Sequence, residues 1–246
     1  MTTAAQPPRS AGPVLETIAE LRFPPMLTIG SAPPAAFQEG VRAQFPQFRP
    51  SEDRQAYVFQ SADQQWVLTL RVDALTLVGR RDEGWRVFTA HWSLAVQALA
   101  ATYRPYQVVR VGLRIRHVIR RSLYGLAGVD WSQLLHPHLA ATCSWPELGG
   151  EILVARGECV VALPGGSDRL RVGHGLVLVE GPHGDHREVC YLVDADVSVE
   201  APMPVAEALP RLDRFHWEAR KAFRHCLSER LAKAMGAPED VEQQAA

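Results

Sequence analysis

Hydrophobic and polar residues alternate along several stretches of the chain, which is the period expected of half-buried strands. In the first half these stretches are 14–23, 57–60, 66–72, 75–81 and 107–119. Two helices are predicted between them: one repeats Phe37, Val41 and Phe45 at every fourth position, and the other runs from Trp85 to Tyr103. The resulting order, β-α-β-β-β-α-β, is close to the split β-α-β pattern of ferredoxin-like folds.

The second half combines short strands, Gly-rich turns and a long C-terminal helix. Its predicted strands are 152–155, 159–163, 170–172, 176–180 and 188–200. The helix is predicted to begin near Val205, to be interrupted near Pro210 and to end at Gly236. We therefore predict an α+β protein with two lobes of largely antiparallel sheet and packed helices. The predicted boundaries are a disordered segment 1–13, a ferredoxin-like lobe 14–128, a second lobe 129–236 and a disordered tail 237–246.

Composition narrows the class of protein. The chain has 246 residues, of which 47% are hydrophobic and 22% are charged, as in globular proteins that fold without metal or disulfides. No stretch reaches the roughly 20 apolar residues of a membrane-spanning helix, and residues 1–13 have no apolar signal-peptide region. The four cysteines form no C-x-x-C pair. We expect a cytoplasmic protein with reduced thiols, no cofactor and no membrane partner.

Three segments of the first half carry motifs that occur together in one family. They are PVLETIAELRFPP (13–25), WVLTLRVDALTLVGRRDEGWRVF (66–88) and VVRVGLRIRHVI (108–119). Together they resemble a sporadically distributed family of uncharacterised bacterial proteins, in which an LRFPP strand precedes a meander, a Trp-led helix and an R-x-G-L-R strand. The matching residues are Arg22, Phe23, Pro24, Pro25, Trp66, Trp85, Arg110, Gly112, Leu113 and Arg114. The resemblance implies a bacterial accessory protein and supplies no catalytic residue.

Arginine is concentrated in one region that lacks acidic residues. From Gly84 to Val129 the chain has seven arginines and no Asp or Glu, although its formal net charge is −1. Alternation along the strand 107–119 places the polar side chains on one face. The residues on that face are Arg110, Gly112, Arg114, Arg116 and Arg120. Because guanidinium groups bind phosphate oxygens, this face is a candidate surface for an anion or for single-stranded RNA or DNA.

A second alternating strand supports a structural alternative. Asp194, Asp196 and Glu200 share one face of the strand predicted at 188–200. If the two strands are neighbours, these acids pair with Arg110, Arg114 and Arg116, and the arginines belong to an internal ladder of ion pairs. The near-neutral chain favours the ladder, because a nucleic-acid surface usually belongs to a basic domain.

Other chemistry has less support in the sequence. His183, His186 and Cys190 are the metal candidates, but zinc sites usually contain more closely spaced cysteine pairs. The neighbouring glycines indicate a hairpin turn instead. We therefore predict no metal site. The chain has no G-x-S-x-G, G-x-G-x-x-G or Walker motif, so no catalytic residue is assigned.

The favoured functional prediction is a non-catalytic binding or adaptor component that acts with a protein partner encoded nearby. The alternatives are a nucleic-acid-binding module that uses the arginine-faced strand and an unrecognised hydrolase. Each function requires a different surface. A protein partner requires an exposed apolar patch, a nucleic acid requires an unpaired basic face, and a hydrolase requires a deep pocket with convergent Cys, His or Asp.

Overall fold

The computed structural model describes residues 13–50, 56–80, 82–143, 147, 152–180 and 187–236. The strands are β1 (Val14–Arg22), β2 (Gln47–Pro50), β3 (Ala56–Gln60), β4 (Trp66–Arg71), β5 (Ala74–Gly79), β6 (Val108–Ile119), β7 (Ala155–Ala162), β8 (Asp168–Glu180) and β9 (Arg187–Met203). The helices are α1 (Leu27–Ser31), α2 (Ala35–Val41), α3 (Trp85–Tyr103), α4 (Pro137–Ala140), α5 (Val205–Cys226) and α6 (Glu229–Ala234). Short 3₁₀ turns occur at Arg121–Tyr124, Trp131–Gln133 and Ala141–Cys143. The predicted disordered ends, apart from Pro13, lie outside the described residues.

All nine strands belong to one sheet, in the order β2-β3-β4-β5-β1-β6-β9-β8-β7. Every neighbouring pair is antiparallel. The fold is therefore α+β, with one large antiparallel sheet and a long C-terminal helix. The predicted lobes 14–128 and 129–236 and the ferredoxin-like arrangement are not confirmed. The reason is that β6 pairs with β1 on one side and with β9 on the other, so the sheet continues across the predicted boundary.

One face of the sheet packs against the helices, and we call it the covered face. It carries the alternating apolar residues of the strands, such as Val111 and Leu113 of β6 and Val197 of β9, all fully buried. Helix α5 packs on it with Leu212, Phe215 and Ala219. The opposite, open face carries mainly polar and charged side chains on β1, β6 and β9. In the part of the chain that the structure describes, α5 is the helix in broad contact with β6 and β9, and it lies on the covered face.

Helix α3 confirms the sequence prediction, whereas the strands between 152 and 180 do not. Four short strands were predicted there, but the chain forms two longer ones, β7 and β8. Glycines that suggest turns lie inside these strands, because two backbones approach closely. A Cβ at Gly175 would overlap the carbonyl oxygen of Ala155, and one at Gly157 would lie 2.6 Å from Nε2 of His174.

The C-terminal helix also differs from its prediction. Helix α5 continues through Pro210 without a break and ends at Cys226. Leu227 then adopts an extended conformation and forms an isolated bridge with Leu135. Ser228 starts α6 by accepting a hydrogen bond from the backbone N–H of Leu231. The interruption predicted near Pro210 is therefore wrong, and the break lies instead between Cys226 and Glu229, where the chain contacts Leu135.

Candidate functional site

Charged side chains from three neighbouring strands meet at the centre of the open face, and we call this group the charge network. It consists of Glu16 and Glu20 on β1, Arg110, Arg114 and Arg116 on β6, and Asp194, Asp196 and Glu200 on β9. The β6–β9 register places each arginine directly opposite one acid of β9. The network therefore follows from the side-chain alternation of three strands and from their pairing.

The two outer arginines bind glutamates of β1 most closely. Arg110 Nη1 donates to Glu20 Oε1 at 2.6 Å, and Arg116 Nη1 donates to Glu16 Oε1 at 2.6 Å. The acids of β9 lie farther from these two arginines. Asp196 is 3.8 Å from Arg110, and Asp194 is 4.0 Å from Arg116. Each outer arginine thus bridges the strands on both sides of β6.

The central arginine of the network makes the most complete pair. Arg114 Nε donates to Asp194 Oδ1 at 2.7 Å, and Nη2 of the same guanidinium donates to Oδ2. This hydrogen bonding raises the pKa of Arg114 above its usual value. Burial raises the pKa of Asp196, while Arg110 opposes that change. The carboxylates are thus partly removed from water and depend on the arginines for their partners.

The predicted pairing between the arginines of β6 and the acids of β9 is confirmed. Glu16 and Glu20 were not among the predicted partners, although their alternation along the first strand places both on one face. Arg120, the fourth candidate, follows the end of β6 and forms no ion pair with the described acids. Residues 84–129 contain seven arginines and no acid, which suggests a strongly positive face. Because Arg110, Arg114 and Arg116 are paired with carboxylates of β1 and β9, much of that charge is compensated.

A second charged cluster joins the sheet to α5. The side chain of Asp168 at the start of β8 is 3% exposed, and it pairs with Arg214 and, at 3.3 Å, with Arg211. Because both arginines belong to α5, this carboxylate fixes the N-terminal half of the helix on the sheet. Asp168 also lines a shallow depression of about 310 Å³, together with Ala162, Gly166, Ser167, Arg169, Ser198 and Glu200. This lining contains no Cys or His, and the carboxylate of Asp168 is already paired with the two arginines of α5.

Two histidines between the covered face and α5 take part in ring packing: His117 of β6 is buried, and His216 of α5 is half-buried. His117 stacks on Phe223 with a centroid separation of 3.8 Å, and His216 stacks on Trp85 at 4.0 Å. Burial lowers the pKa of both histidines to about 4. Both are therefore neutral near pH 7, and their surroundings disfavour the charged imidazolium that an acid catalyst would provide.

The metal candidates find no support among the described residues. His183 and His186 lie outside them. Cys190 is buried, and burial raises the pKa of its thiol to about 11, which opposes formation of the thiolate that metals bind. Within the described ranges, no three His, Cys, Asp or Glu side chains come together in a metal-binding arrangement. Nor does any described helix combine the length and apolar character required to cross a membrane.

The two edge strands of the sheet differ in how they are protected. Strand β2 has four residues and is bounded by Pro46 and Pro50, features that prevent further strand pairing. Strand β7 has eight residues without Pro or Lys, and β8 is its partner in the described sheet. Among the described residues, the outer edge of β7 therefore has backbone donors and acceptors that pair with no further strand.

Exposed apolar side chains lie on β7, immediately before it and on β8, and we call them the edge patch. Its members, between 39 and 61% exposed, are Leu153, Val154, Val160, Val161 and Leu178. Exposed large apolar side chains along a free strand edge indicate an interaction site. The edge patch was not predicted from the sequence, because the local pattern does not show which strand will lie at the edge of the sheet.

Comparison of the chain with protein-family models and with curated protein sequences gives no match.

Proposed function

We propose that the protein is a non-catalytic binding component, an adaptor whose protein partner adds a strand to the free edge of β7. The observation that carries this proposal is the edge patch on a strand that contains no proline or lysine and has one strand partner among the described residues. An extended segment placed against β7 would satisfy its outward backbone groups. Val160 and Val161 point to opposite faces of the sheet, so both faces of the added strand would gain apolar contacts.

The charge network favours this function over nucleic-acid binding. Arg110, Arg114 and Arg116 are already bound to carboxylates of the same chain. A phosphate backbone would have to replace those carboxylates, and it would approach a face on which acidic groups alternate with basic ones. A hydrolase would require a pocket with a reactive side chain, and the depression beside Asp168 is lined by no Cys or His among the described residues.

We also propose that the first half is a ferredoxin-like unit of a cytoplasmic bacterial protein from the family that it resembles. Support comes from the neighbouring order β4-β5-β1-β6 and from the packing of α2 against α3. In this comparison β2 and β3 are additions that extend one side of the unit.

The proposed function can be tested by measuring the mass of the complexes that the full chain forms. The tagged chain would be purified alone and after co-expression with the products of neighbouring genes. We expect a mass above that of one chain in at least one of these preparations. The double variant Val160→Lys/Val161→Lys places charges at the edge and should lose that complex.

The matched control is Leu27→Lys, because Leu27 is 81% exposed and lies away from β7. This variant should keep the complex, and both variants should melt near the wild-type temperature. A chain that remains a monomer in every preparation would contradict the proposed function. So would a complex that survives the double lysine substitution.

A further inference from the structure

We infer that the strand added to β7 is β7 of a second copy of this chain, in an antiparallel register centred on Gly157. The inference rests on the proposed function, since it names the partner at the same edge. Opposed residues of an antiparallel pair share a face of the sheet. A two-fold axis normal to the sheet leaves each side chain on its own face of the sheet. One residue of β7 must therefore lie at the axis, directly opposite the same residue of the second copy.

Charge complementarity selects the register. Strand β7 contains two charged residues, Arg156 and Glu158, both exposed and both on the open face. With Gly157 at the axis, Arg156 lies opposite Glu158 of the second copy, and the symmetry produces this pair twice. Moving the axis to Arg156 or to Glu158 places like charges opposite each other, which destabilises the pairing.

The two charged groups are available for this contact. Arg156 forms no ion pair with the described acids. Glu158 accepts a hydrogen bond from Arg171 Nη1 at 2.6 Å through Oε2, while its Oε1 receives none from the described residues. A carboxylate can accept from two guanidinium groups, so the contact with Arg171 is compatible with the new pair.

The same register also matches the apolar residues. Continuing the pairing outward from Gly157 places Val160 opposite Val154 and Val161 opposite Leu153 of the second copy. All four residues belong to the edge patch. One register therefore covers most of the patch and pairs the charges. The two sheets would join into a single sheet with both open faces on the same side.

The first experiment measures self-association of the full chain by sedimentation velocity. We expect a dimer, and we expect Arg156→Glu and Glu158→Arg each to raise its dissociation constant about tenfold or more. The reason is that each substitution changes two symmetry-related attractions into repulsions. The double variant Arg156→Glu/Glu158→Arg reverses both charges and should restore the wild-type dissociation constant, which no other register of β7 predicts.

A second experiment tests the register with a disulfide. In the proposed register residue 155 lies opposite Cys159 of the second copy, within the separation that a disulfide bridges. Mild oxidation of Ala155→Cys should therefore give a covalent dimer on a non-reducing gel. The control Val161→Cys places its thiol opposite Leu153 and should not form that dimer. Changing Cys159 to serine in the Ala155→Cys variant should abolish it.

A monomeric wild type, or a dimer that ignores the charge substitutions, would overturn this inference. Failure of the reversed-charge double variant to recover would overturn the register as well. The proposed function would still stand if a co-expressed protein bound the monomer and the lysine substitutions on β7 removed it. If neither a second copy nor a co-expressed protein binds through β7, both proposals fail.

Discussion

Arg114 on β6 and Asp194 on β9 form a two-point ion pair although they are not directly opposite each other. The residue opposite Arg114 is Asp196, and the residue opposite Asp194 is Arg116. The guanidinium therefore reaches diagonally along the sheet, a distance that a long side chain can span. The side chain of Asp194 is 11% exposed, so the diagonal pair supplies a carboxylate that water reaches poorly.

Replacing Arg114 should reveal how strongly Asp194 depends on it. In Arg114→Ala the nearly buried carboxylate keeps Arg116 at 4.0 Å and loses both hydrogen bonds. We expect the free energy of unfolding, measured with urea, to fall by about 1–3 kcal/mol. Arg71→Ala is the control, because that arginine is exposed, and its unfolding free energy should change by less than about 0.5 kcal/mol.

The arginines of β6 can be tested directly for binding to nucleic acid. If the arginines serve the network, fluorescence anisotropy should show no salt-sensitive binding of single-stranded oligonucleotides to the wild type. Binding that disappears when Arg110, Arg114 and Arg116 are all changed to alanine, with an unchanged melting temperature, would contradict this expectation.

His117 should make the protein less stable as the pH falls. Its side chain is 4% exposed, and burial lowers its pKa from 6.5 to about 4. The unfolded chain therefore binds this proton before the folded chain does. The stabilising contribution is complete above about pH 6.5 and is lost between about pH 6.5 and pH 4, by up to about 3 kcal/mol.

Urea unfolding at several pH values would measure this effect. In His117→Gln the slope of unfolding free energy between pH 4 and 6.5 should decrease, and His216 should supply part of the slope that remains, since its pKa is also lowered to about 4. An unchanged slope in His117→Gln would show that this residue does not cause it.

Helix α3 provides a direct test of the covered face. Leu99 is fully buried, while Gln97 lies two residues earlier on the exposed side of the same helix. We expect Leu99→Asp to unfold the protein at room temperature or to lower its stability by about 4 kcal/mol or more, because it buries an unpaired charge. Gln97→Asp should retain a melting temperature near that of the wild type. Circular dichroism would distinguish the two results.

The four thiols should react at different rates. Cys143, Cys190 and Cys226 are buried, whereas Cys159 is exposed on β7. Burial also raises the pKa of Cys226 to about 12. In dilute native protein, a chromogenic disulfide reagent should modify Cys159 first, and Cys159→Ser should remove the fast phase. Non-reducing mass spectrometry of fresh protein should find four free thiols; a native disulfide would contradict the prediction.

Local patterns predicted the elements whose cause is local. The apolar spacing from Trp85 to Tyr103 predicted α3 with the observed bounds, and alternation identified both β6 and the acidic face of β9. The prediction that the glycines now found in β7 and β8 mark turns was wrong. Their role is to admit the neighbouring backbone and the ring of His174, a contact that arises from strand pairing.

Long-range arrangement limited the rest of the prediction. The ion pairs between β6 and β9 were predicted only for the case in which these strands are neighbours. Alternation shows which side chains share a face, but it does not show which strand lies beside it. The partners Glu16 and Glu20 depend on the additional fact that β1 lies on the other side of β6. The edge patch depends on β7 being last in the sheet order. These facts follow from the topology of the whole chain, which a local pattern does not contain.

The position of β9 at the far end of the chain has a consequence for synthesis on the ribosome. Strand β6 ends at Ile119, whereas β9 begins only at Arg187, so β6 is complete long before its second neighbour exists. During that interval the nascent sheet ends at β6, where Arg110 and Arg116 have their partners on β1 while Arg114 still lacks Asp194 and opposes pairing with the same arginine of an identical chain. The acids of β9 then provide the matching charges. The charge network thereby favours pairing of β6 with β9 of the same chain over pairing with another chain.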